Sequence, residues 1–318
     1  MRIDFAPMEG ITDALYRQIH HRYFPGVDRY YTPFVSPTME HCFTPREKRN
    51  VLPEHNEGLT VIPQILSKVP ADFLWAAGEL HAMGYDKVNL NLGCPSGTVA
   101  AKGKGSGMLA NPAVLDQFLH DIFENAPCAI SVKTRLGIEN PEEFEEIMEV
   151  YNQYPIAELI IHPRVRKDFY RHSVRREAFE KALAVSKNPV SYNGGLVTVA
   201  DCARCAERYP QLTAIMLGQG LVSDPFLAAK FKDGIKGDVS VLQAFHDELF
   251  ETYVTRFQSE INAMKRMKEI WIYMSALFGD NKKHKKKLLK SKTASEYRAA
   301  ASAIFRELPM LEDSEGDW

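Results

Sequence analysis

Short runs of β-branched and other apolar residues alternate with amphipathic helical stretches from residue 1 to about residue 236. This alternation predicts βα units arranged around a parallel sheet. Eight apolar runs follow one another over this span, which is close to the roughly 250 residues that a (β/α)8 barrel takes. We therefore predict an α/β fold, a (β/α)8 TIM barrel. Its strands are predicted at residues 3–6, 29–32, 60–65, 87–91, 129–133, 158–161, 190–193 and 214–217.

The helices between the strands carry their own start and stop signals. Asn-Pro pairs at 111–112 and 140–141 each predict a cap followed by a first helical turn. Pro70 opens another helix, which Gly84 closes. Apolar residues recur on one face of each helix, and we assign them to the core.

After about residue 237 the strand pattern stops and only helical patterns follow. We predict two domains, a barrel over residues 1–236 and a small all-helical domain over residues 237–318. The lysine-rich stretch NKKHKKKLLKSK, residues 281–292, is predicted to be the loop between the last two helices. The three helical patterns cover residues 241–257, 261–278 and 294–308.

The composition is that of an ordinary folded protein, with 318 residues, 45% hydrophobic and 25% charged. The first residues lack a signal-peptide pattern, and no stretch approaches the roughly 18 apolar residues of a membrane span. We expect a cytoplasmic protein that does not bind membranes. The five scattered cysteines predict no disulfide framework. We also expect a monomer.

The net charge of -2 gives no overall signature of nucleic-acid binding. A polyanion would therefore have to bind a local patch, and the lysine-rich stretch at 281–292 is the candidate. The alternative is that these lysines are an ordinary solvated surface.

Chemistry is expected where the strands end, because a barrel of this type carries its active site there. The segment NLNLGCPSGTVAAKGKGSGML, residues 89–109, places Cys94 directly after a strand, between a glycine and a proline. Such a backbone suits the fixed presentation of a thiol. The alternative is a small buried cysteine without a chemical role. The glycines of residues 103–107 predict a mobile loop that closes over a ligand.

Glycine pairs after the last two strands predict a phosphate site. SYNGGL at 191–196 and MLGQG at 216–220 put glycines where such barrels bind phosphate through backbone N–H groups. The alternative for each pair is an ordinary tight turn. Lys133 would point a cation into the same mouth, where it needs a partner or an anionic ligand. His162 either reaches this mouth or is structural. A phosphate-bearing cofactor is therefore predicted.

Cys202 and Cys205 form a C-x-x-C pair. We expect no metal there, because no second ligand pair has metal spacing. The segment is predicted to be the helix after the seventh strand, with Thr198 as its cap.

Together these motifs resemble the tRNA-dihydrouridine synthases. APMEGITD, the Gln64 strand, the Cys94 segment, SVKTRLG, HPR, NGGL and LGQG occur in that family's order and spacing, and RMKEIWIYM resembles part of its helical domain. The resemblance implies an FMN-dependent oxidoreductase acting on a CH–CH bond. In this family NADPH reduces FMN, and the flavin reduces the C5–C6 double bond of uracil in tRNA.

The resemblance also implies a role for each matching residue. Cys94 is the proton donor, and Asn91 lies beside the target uracil. The implied cofactor contacts are Pro7, Met8, Glu9, Gln64, Lys133 and His162, with Asn193, Gly194, Gly195, Gly218 and Gln219 at the phosphate. We further expect tRNA phosphates to be held by Lys282, Lys283, Lys285, Lys286 and Lys287.

Three positions depart from the family's pattern. Gln219 stands where an arginine is usual, Pro163 replaces a glycine, and Gly195 replaces an acidic or polar residue. Without a charge-assisted bond from that arginine to the phosphate, weaker FMN binding is predicted. Two other functions stay open: an FMN-dependent ene or pyrimidine reductase of small molecules, and a tRNA-binding protein that has lost flavin.

Overall fold

The structure, a computed structural model, describes residues 1–170 and 173–316. Parallel strands form one sheet, the predicted barrel. In chain order the strands are β1 (Arg2–Phe5), β2 (Arg29–Tyr31), β3 (Val61–Ile62), β4 (Gln64–Ile65), β5 (Lys87–Leu92), β6 (Ala129–Arg135), β7 (Leu159–His162), β8 (Val190–Asn193) and β9 (Ala214–Leu217). Their order in the sheet is β3-β2-β1-β9-β8-β7-β6-β5-β4.

The strand predicted at residues 60–65 is divided by Pro63 into β3 and β4. A proline has no N–H to donate, so it interrupts a ladder of hydrogen bonds. β3 pairs with β2, whereas β4 pairs with β5. The Pro63 carbonyl accepts a 2.8 Å hydrogen bond from the Asn89 N–H. Pro63 thus joins the two edges of the sheet, which curls into a nearly closed barrel of eight strand positions.

Helices cover the outside of the barrel, and most lie where the pattern predicts them. The Asn111 side chain caps its helix by accepting from the Val114 N–H at 3.2 Å. The barrel helices are α1 (Ala14–Tyr23), α2 (Pro45–Val51), α3 (Pro70–Ala82), α4 (Gly97–Ala100), α5 (Pro112–Asn125), α6 (Glu143–Tyr151), α7 (Arg176–Val185), α8 (Val199–Arg208), α9 (Gln219–Ser223) and α10 (Leu227–Asp233).

The predicted start of α6 at Asn140 and Pro141 is wrong by two residues. The Glu143 carboxylate accepts hydrogen bonds from the N–H groups of Ile138, Glu139 and Asn140. These bonds wrap the preceding chain around Glu143 as a turn, so the helix begins at Glu143 itself.

Four helices follow the barrel: α11 (Val239–Phe257), α12 (Glu260–Met274), α13 (Lys282–Lys290) and α14 (Ala294–Glu307). The prediction that the lysine-rich stretch is a loop is wrong, because most of it forms α13. Lysine is a good helix former, and the fully buried Leu288 anchors the helix to its neighbours. One buried position was too weak a periodic signal to predict a helix from the sequence.

The C-terminal helices pack on the barrel through α1. The Phe24 and Phe245 rings meet edge to face with their centroids 4.9 Å apart, and the Tyr253 hydroxyl donates to Asp13 at 3.0 Å. The predicted domain division at residue 236 falls in the coil between α10 and α11 and stays a prediction. Within residues 1–170 and 173–316, no helix is long and apolar enough to cross a membrane.

Candidate active site

A cavity of about 490 Å³ opens at the C-terminal ends of the strands. This is the end of the barrel at which the sequence predicts the chemistry. Every residue that the sequence assigns to cofactor or catalysis lines the cavity, and so does Asn91. These residues are Pro7, Met8, Glu9, Gln64, Asn91, Cys94, Lys133, His162, Asn193, Gly194, Gly195, Gly218 and Gln219.

The Cys94 backbone is held from both sides. The Asn91 side-chain oxygen accepts from the N–H groups of Gly93 and Cys94 at 3.1 and 2.9 Å. The Ser106 hydroxyl donates to the Cys94 carbonyl at 2.7 Å. Burial raises the pKa of the Cys94 thiol, against weaker opposing effects of a backbone hydrogen bond at Ser96 and of Arg135. The thiol is therefore protonated at neutral pH and can act as an acid.

The glycines beside Cys94 allow close packing, and Gly105 and Gly107 lie in a short helix. The mobility of this segment stays a prediction. Residues Gly105–Ala110 form a short 3-10 helix. A Cβ at Gly107 would lie 2.4 Å from the Ala100 carbonyl oxygen, and Gly105 has a φ of +57° with its Cβ position 3.0 Å from the Cys94 Cβ. Larger residues would push this helix away from Cys94.

Buried amides cross the floor of the cavity from strand to strand. Asn91 donates to the Gln64 side-chain oxygen, and Gln64 donates to that of Asn89, both at 2.8 Å. Asn89 in turn donates to the Ser131 hydroxyl at 2.9 Å. Because each amide fixes the orientation of the next, Gln64 and Asn91 present defined donors and acceptors toward the cavity.

Lys133 brings a cation to the same floor. Its ammonium donates to the Asn193 side-chain oxygen at 2.7 Å, and Asn193 donates to the Met216 carbonyl at 2.8 Å. Burial, together with the charge of Arg135, lowers the pKa of Lys133 to about 7. No carboxylate of the described residues lies within ion-pair distance of Lys133. This geometry favours an anionic ligand.

His162 and Gly194 meet at the opposite wall. The His162 Nε2 accepts a 2.8 Å hydrogen bond from the Arg164 guanidinium. Burial, with the nearby charges of Arg135 and Lys133, holds the pKa of His162 well below its usual range, so the ring is neutral. Gly194 has a φ of +115°, and a Cβ there would lie 2.6 Å from the His162 ring. Only glycine fits this position.

Backbone N–H groups are available for a phosphate at this wall. Gly194 and Gly195 both have positive φ, at +115° and +67°. In the part of the chain that the structure describes, neither N–H has a hydrogen-bond acceptor. Consecutive N–H groups without protein partners form an anion-binding concavity.

Four polar side chains that the sequence interpretation did not single out also line the cavity: Arg135, Arg164, Tyr170 and Tyr273. Arg135 donates to the carbonyls of Gly93, Val165 and Phe169 at 3.0, 3.0 and 2.8 Å. Its guanidinium also lies 5.2 Å from the centre of the Tyr170 ring. Arg135 thus ties the Cys94 segment to the loop after β7.

The C-terminal helices contribute one side chain to the cavity. Tyr273 of α12 hydrogen-bonds with Gln219, and burial raises the pKa of its hydroxyl. At the rim, Glu9 forms an ion pair with Arg46, and both side chains are largely exposed. Gln219 therefore contacts α12 through a hydrogen bond, and Glu9 contacts α2 through an ion pair.

The predicted lysines do not line the cavity. Lys282, Lys283, Lys286 and Lys287 are exposed on α13. Lys285 is half-buried and donates to the Ile272 carbonyl at 2.9 Å.

The C-x-x-C pair lies in α8 and is buried there, and burial raises the pKa of both thiols. Thr198 caps this helix as predicted, by accepting from the Asp201 N–H at 3.0 Å. Among the described residues, no group of three or more His, Cys, Asp or Glu side chains is placed to hold a metal ion.

The sequence and fold of this chain are similar to those of known proteins. The family model described as Dihydrouridine synthase (Dus) matches residues 4–313. A tRNA-dihydrouridine(16) synthase of Pseudomonas putida is 29% identical over 287 residues, which are 86% of this chain and 88% of that protein. A probable tRNA-dihydrouridine synthase of Staphylococcus aureus is 27% identical over 304 residues, covering 92% of this chain and 90% of the relative.

Solved structures show likeness in fold. Morphinone reductase in complex with tetrahydroNAD superimposes with a TM-score of 0.51 and 13% identity. The match covers 76% of this chain and 89% of that one.

Proposed function

The chain belongs to the dihydrouridine synthase family, and we propose that it uses bound FMN to reduce the C5–C6 double bond of uridines in tRNA. The observation that carries this proposal is the position of Cys94. Its protonated thiol is fixed at the edge of a cavity whose floor carries a cation and whose far wall carries unpaired N–H groups. An acid, a cation site and a phosphate site within one cavity are what a flavin-dependent reduction of an alkene needs.

The cavity has the donors that FMN requires. Gly194 and Gly195 offer N–H groups to the phosphate, and Arg164 supplies a guanidinium beside them. Gln219 offers a neutral side chain where the family usually has an arginine, so Arg164 carries a larger share of the phosphate charge. Gln64 and Lys133 lie deeper, where they suit the ring system. FMN, when bound, supplies the hydride that adds to the uracil ring.

Cys94 completes the reduction by donating its proton to the substrate carbon that does not receive the hydride. Two features of this chain favour that role. The raised pKa keeps the proton on sulfur, and the bonds from Asn91 and Ser106 hold the Cys94 backbone in place. Lys133 stabilises negative charge in the cavity at the same time. We propose NADPH as the reductant, in keeping with the family.

The target uridine must leave the tRNA stack to enter a cavity at the mouth of the barrel. We propose that α13 contributes phosphate contacts, because Lys282, Lys283, Lys286 and Lys287 are exposed on one short helix. Tyr273 brings α12 of the C-terminal helices to the cavity itself. The helices that would hold tRNA are therefore joined directly to the reaction site.

The proposal is tested by mapping dihydrouridine, nucleotide by nucleotide, in tRNA from cells with and without this gene. We expect dihydrouridine to disappear at one or a few positions and to return with the native gene. A Cys94→Ala copy should fail to restore it, whereas a Cys128→Ala copy should succeed, because Cys128 immediately precedes β6 at the far end of the barrel. An unchanged map, together with turnover of free uracil by the purified protein, would favour a small-molecule reductase instead.

A further inference from the structure

The loop between β7 and α7 carries a phenylalanine in a backbone conformation that bulky residues avoid. Phe169 has a φ of +49° and a ψ of -105°. Side chains with a Cβ rarely adopt positive φ, and such strain is retained where the surroundings impose it. The Phe169 carbonyl accepts from Arg135 at 2.8 Å, and its N–H donates to the Arg166 carbonyl at 3.2 Å. The same loop is anchored through Asp168, which pairs with Arg175.

The strained residue places an aromatic ring in solvent at the edge of the active site. The Phe169 side chain is 48% exposed, and it does not line the cavity. The next residue, Tyr170, does line it, with its ring lying over the Arg135 guanidinium. Burial does not explain the ring of Phe169, since about half of the residue is exposed.

The chemistry around Phe169 matches single-stranded RNA. Arg166 is half-buried and Lys167 is exposed, where it pairs with Glu139. Both lie within three residues of Phe169, so two cations adjoin the exposed rings of Phe169 and Tyr170. Proteins that hold unstacked nucleotides combine a basic surface with exposed aromatic faces. A uridine that leaves its stack exposes the face of a neighbouring base, which an exposed ring can cover.

We propose that Phe169 is a positioning residue that stacks on the nucleobase next to the target uridine. This inference rests on the proposed function and names the substrate feature that the site recognises beyond the uracil itself. Cys94 and the cofactor residues act on the flipped base, whereas Phe169 holds the neighbouring base at the rim.

The test uses the purified flavin-loaded protein and an unmodified tRNA transcript, with steady-state formation of dihydrouridine as the readout. Phe169→Gly removes the ring and also relieves the strain, because glycine adopts positive φ freely. We expect its melting temperature to be unchanged or higher, while KM for tRNA rises roughly tenfold, as expected when one aromatic ring no longer stacks on a base. The value of kcat should stay within about twofold. Phe169→Leu keeps the strained backbone but should raise KM as the glycine variant does, and Phe169→Tyr should have the KM of the native protein.

Modified tRNA transcripts identify the base on which Phe169 stacks. Transcripts with an abasic nucleotide on either side of the target uridine should raise KM for the native protein but not, or much less, for Phe169→Gly. A glycine variant with native KM, or one equally sensitive to the abasic positions, would overturn the inference. If the native protein makes no dihydrouridine in tRNA, the proposed function itself fails, which is a distinguishable result.

Discussion

The Lys133 ammonium donates a 2.7 Å hydrogen bond to the side-chain oxygen of Asn193 across the mouth of the barrel. A neutral amide is a weak partner for a buried cation, and burial accordingly lowers the pKa of Lys133 to about 7. An unfolded lysine titrates at 10.5. Between these values the unfolded chain binds more protons than the folded one, so the stability of the flavin-free protein should rise with pH across that window.

The affinity for flavin should also depend on the protonation of Lys133, but it should fall with rising pH where the stability rises. An anionic cofactor raises the pKa of Lys133, so binding takes up a proton above pH 7 and affinity should fall as pH rises. We expect a loss of up to about tenfold per pH unit between pH 7.5 and 9.5, measured by quenching of flavin fluorescence. Lys133→Met should bind more weakly at pH 7.5, with a flat profile. An equal slope in both proteins would assign the effect to another group.

Neighbouring glycines at the phosphate wall should differ in their response to a methyl group. Gly194→Ala places a Cβ 2.6 Å from the His162 ring at a φ of +115°, and we expect a destabilisation of at least about 2 kcal/mol with loss of bound flavin. Gly195→Ala has a φ of +67° and meets Val174 only at 3.5 Å, so about 1 kcal/mol is expected. Thermal unfolding and flavin content check both variants. Equal effects would mean that the clash with His162 is relieved at little cost.

The support of Cys94 by Asn91 predicts a change in thiol reactivity. Asn91→Ala leaves the half-buried N–H groups of Gly93 and Cys94 without this acceptor, which costs about 0.5–1.5 kcal/mol for each hydrogen bond lost. The loop should loosen, so iodoacetamide should alkylate Cys94 faster while turnover falls. Ser106→Ala is the matched control, because the Ser106 N–H still donates to the Cys94 carbonyl at 3.2 Å. Native alkylation kinetics in Asn91→Ala would remove Asn91 as the support.

Much of the fold follows from local pattern. Apolar runs locate the strands, and β8 and β9 have the predicted bounds. What the pattern misses depends on single residues within or next to the element that they change. Pro63 divides one strand because each half pairs with a different neighbour, and Glu143 delays its helix by binding three N–H groups that precede it.

Some residues of the candidate active site can also be predicted from the sequence, and others cannot. Residues at strand ends are predictable, because the barrel brings all strand ends to one mouth. Arg135 could also have been predicted, since it lies two residues after Lys133 and so on the same side of β6. Tyr170 and Tyr273 were not, because a loop and a distant helix carry them to the cavity. Only tertiary packing places such residues.

The lysines of α13 should divide into those that bind RNA and one that supports the helix. Lys283 and Lys287 are exposed and one helical turn apart, so they share a face. Replacing both by glutamine should weaken tRNA binding and reduce the slope of log affinity against log salt by about 0.7–0.9 for each phosphate that is no longer neutralised. Lys285→Gln should leave that slope unchanged, because its ammonium binds the Ile272 carbonyl within the protein. Flavin content should be native in all variants, since α13 does not line the cavity. If the double variant keeps the native slope, tRNA phosphates lie elsewhere, and the basic loop around Phe169 becomes the surface to examine.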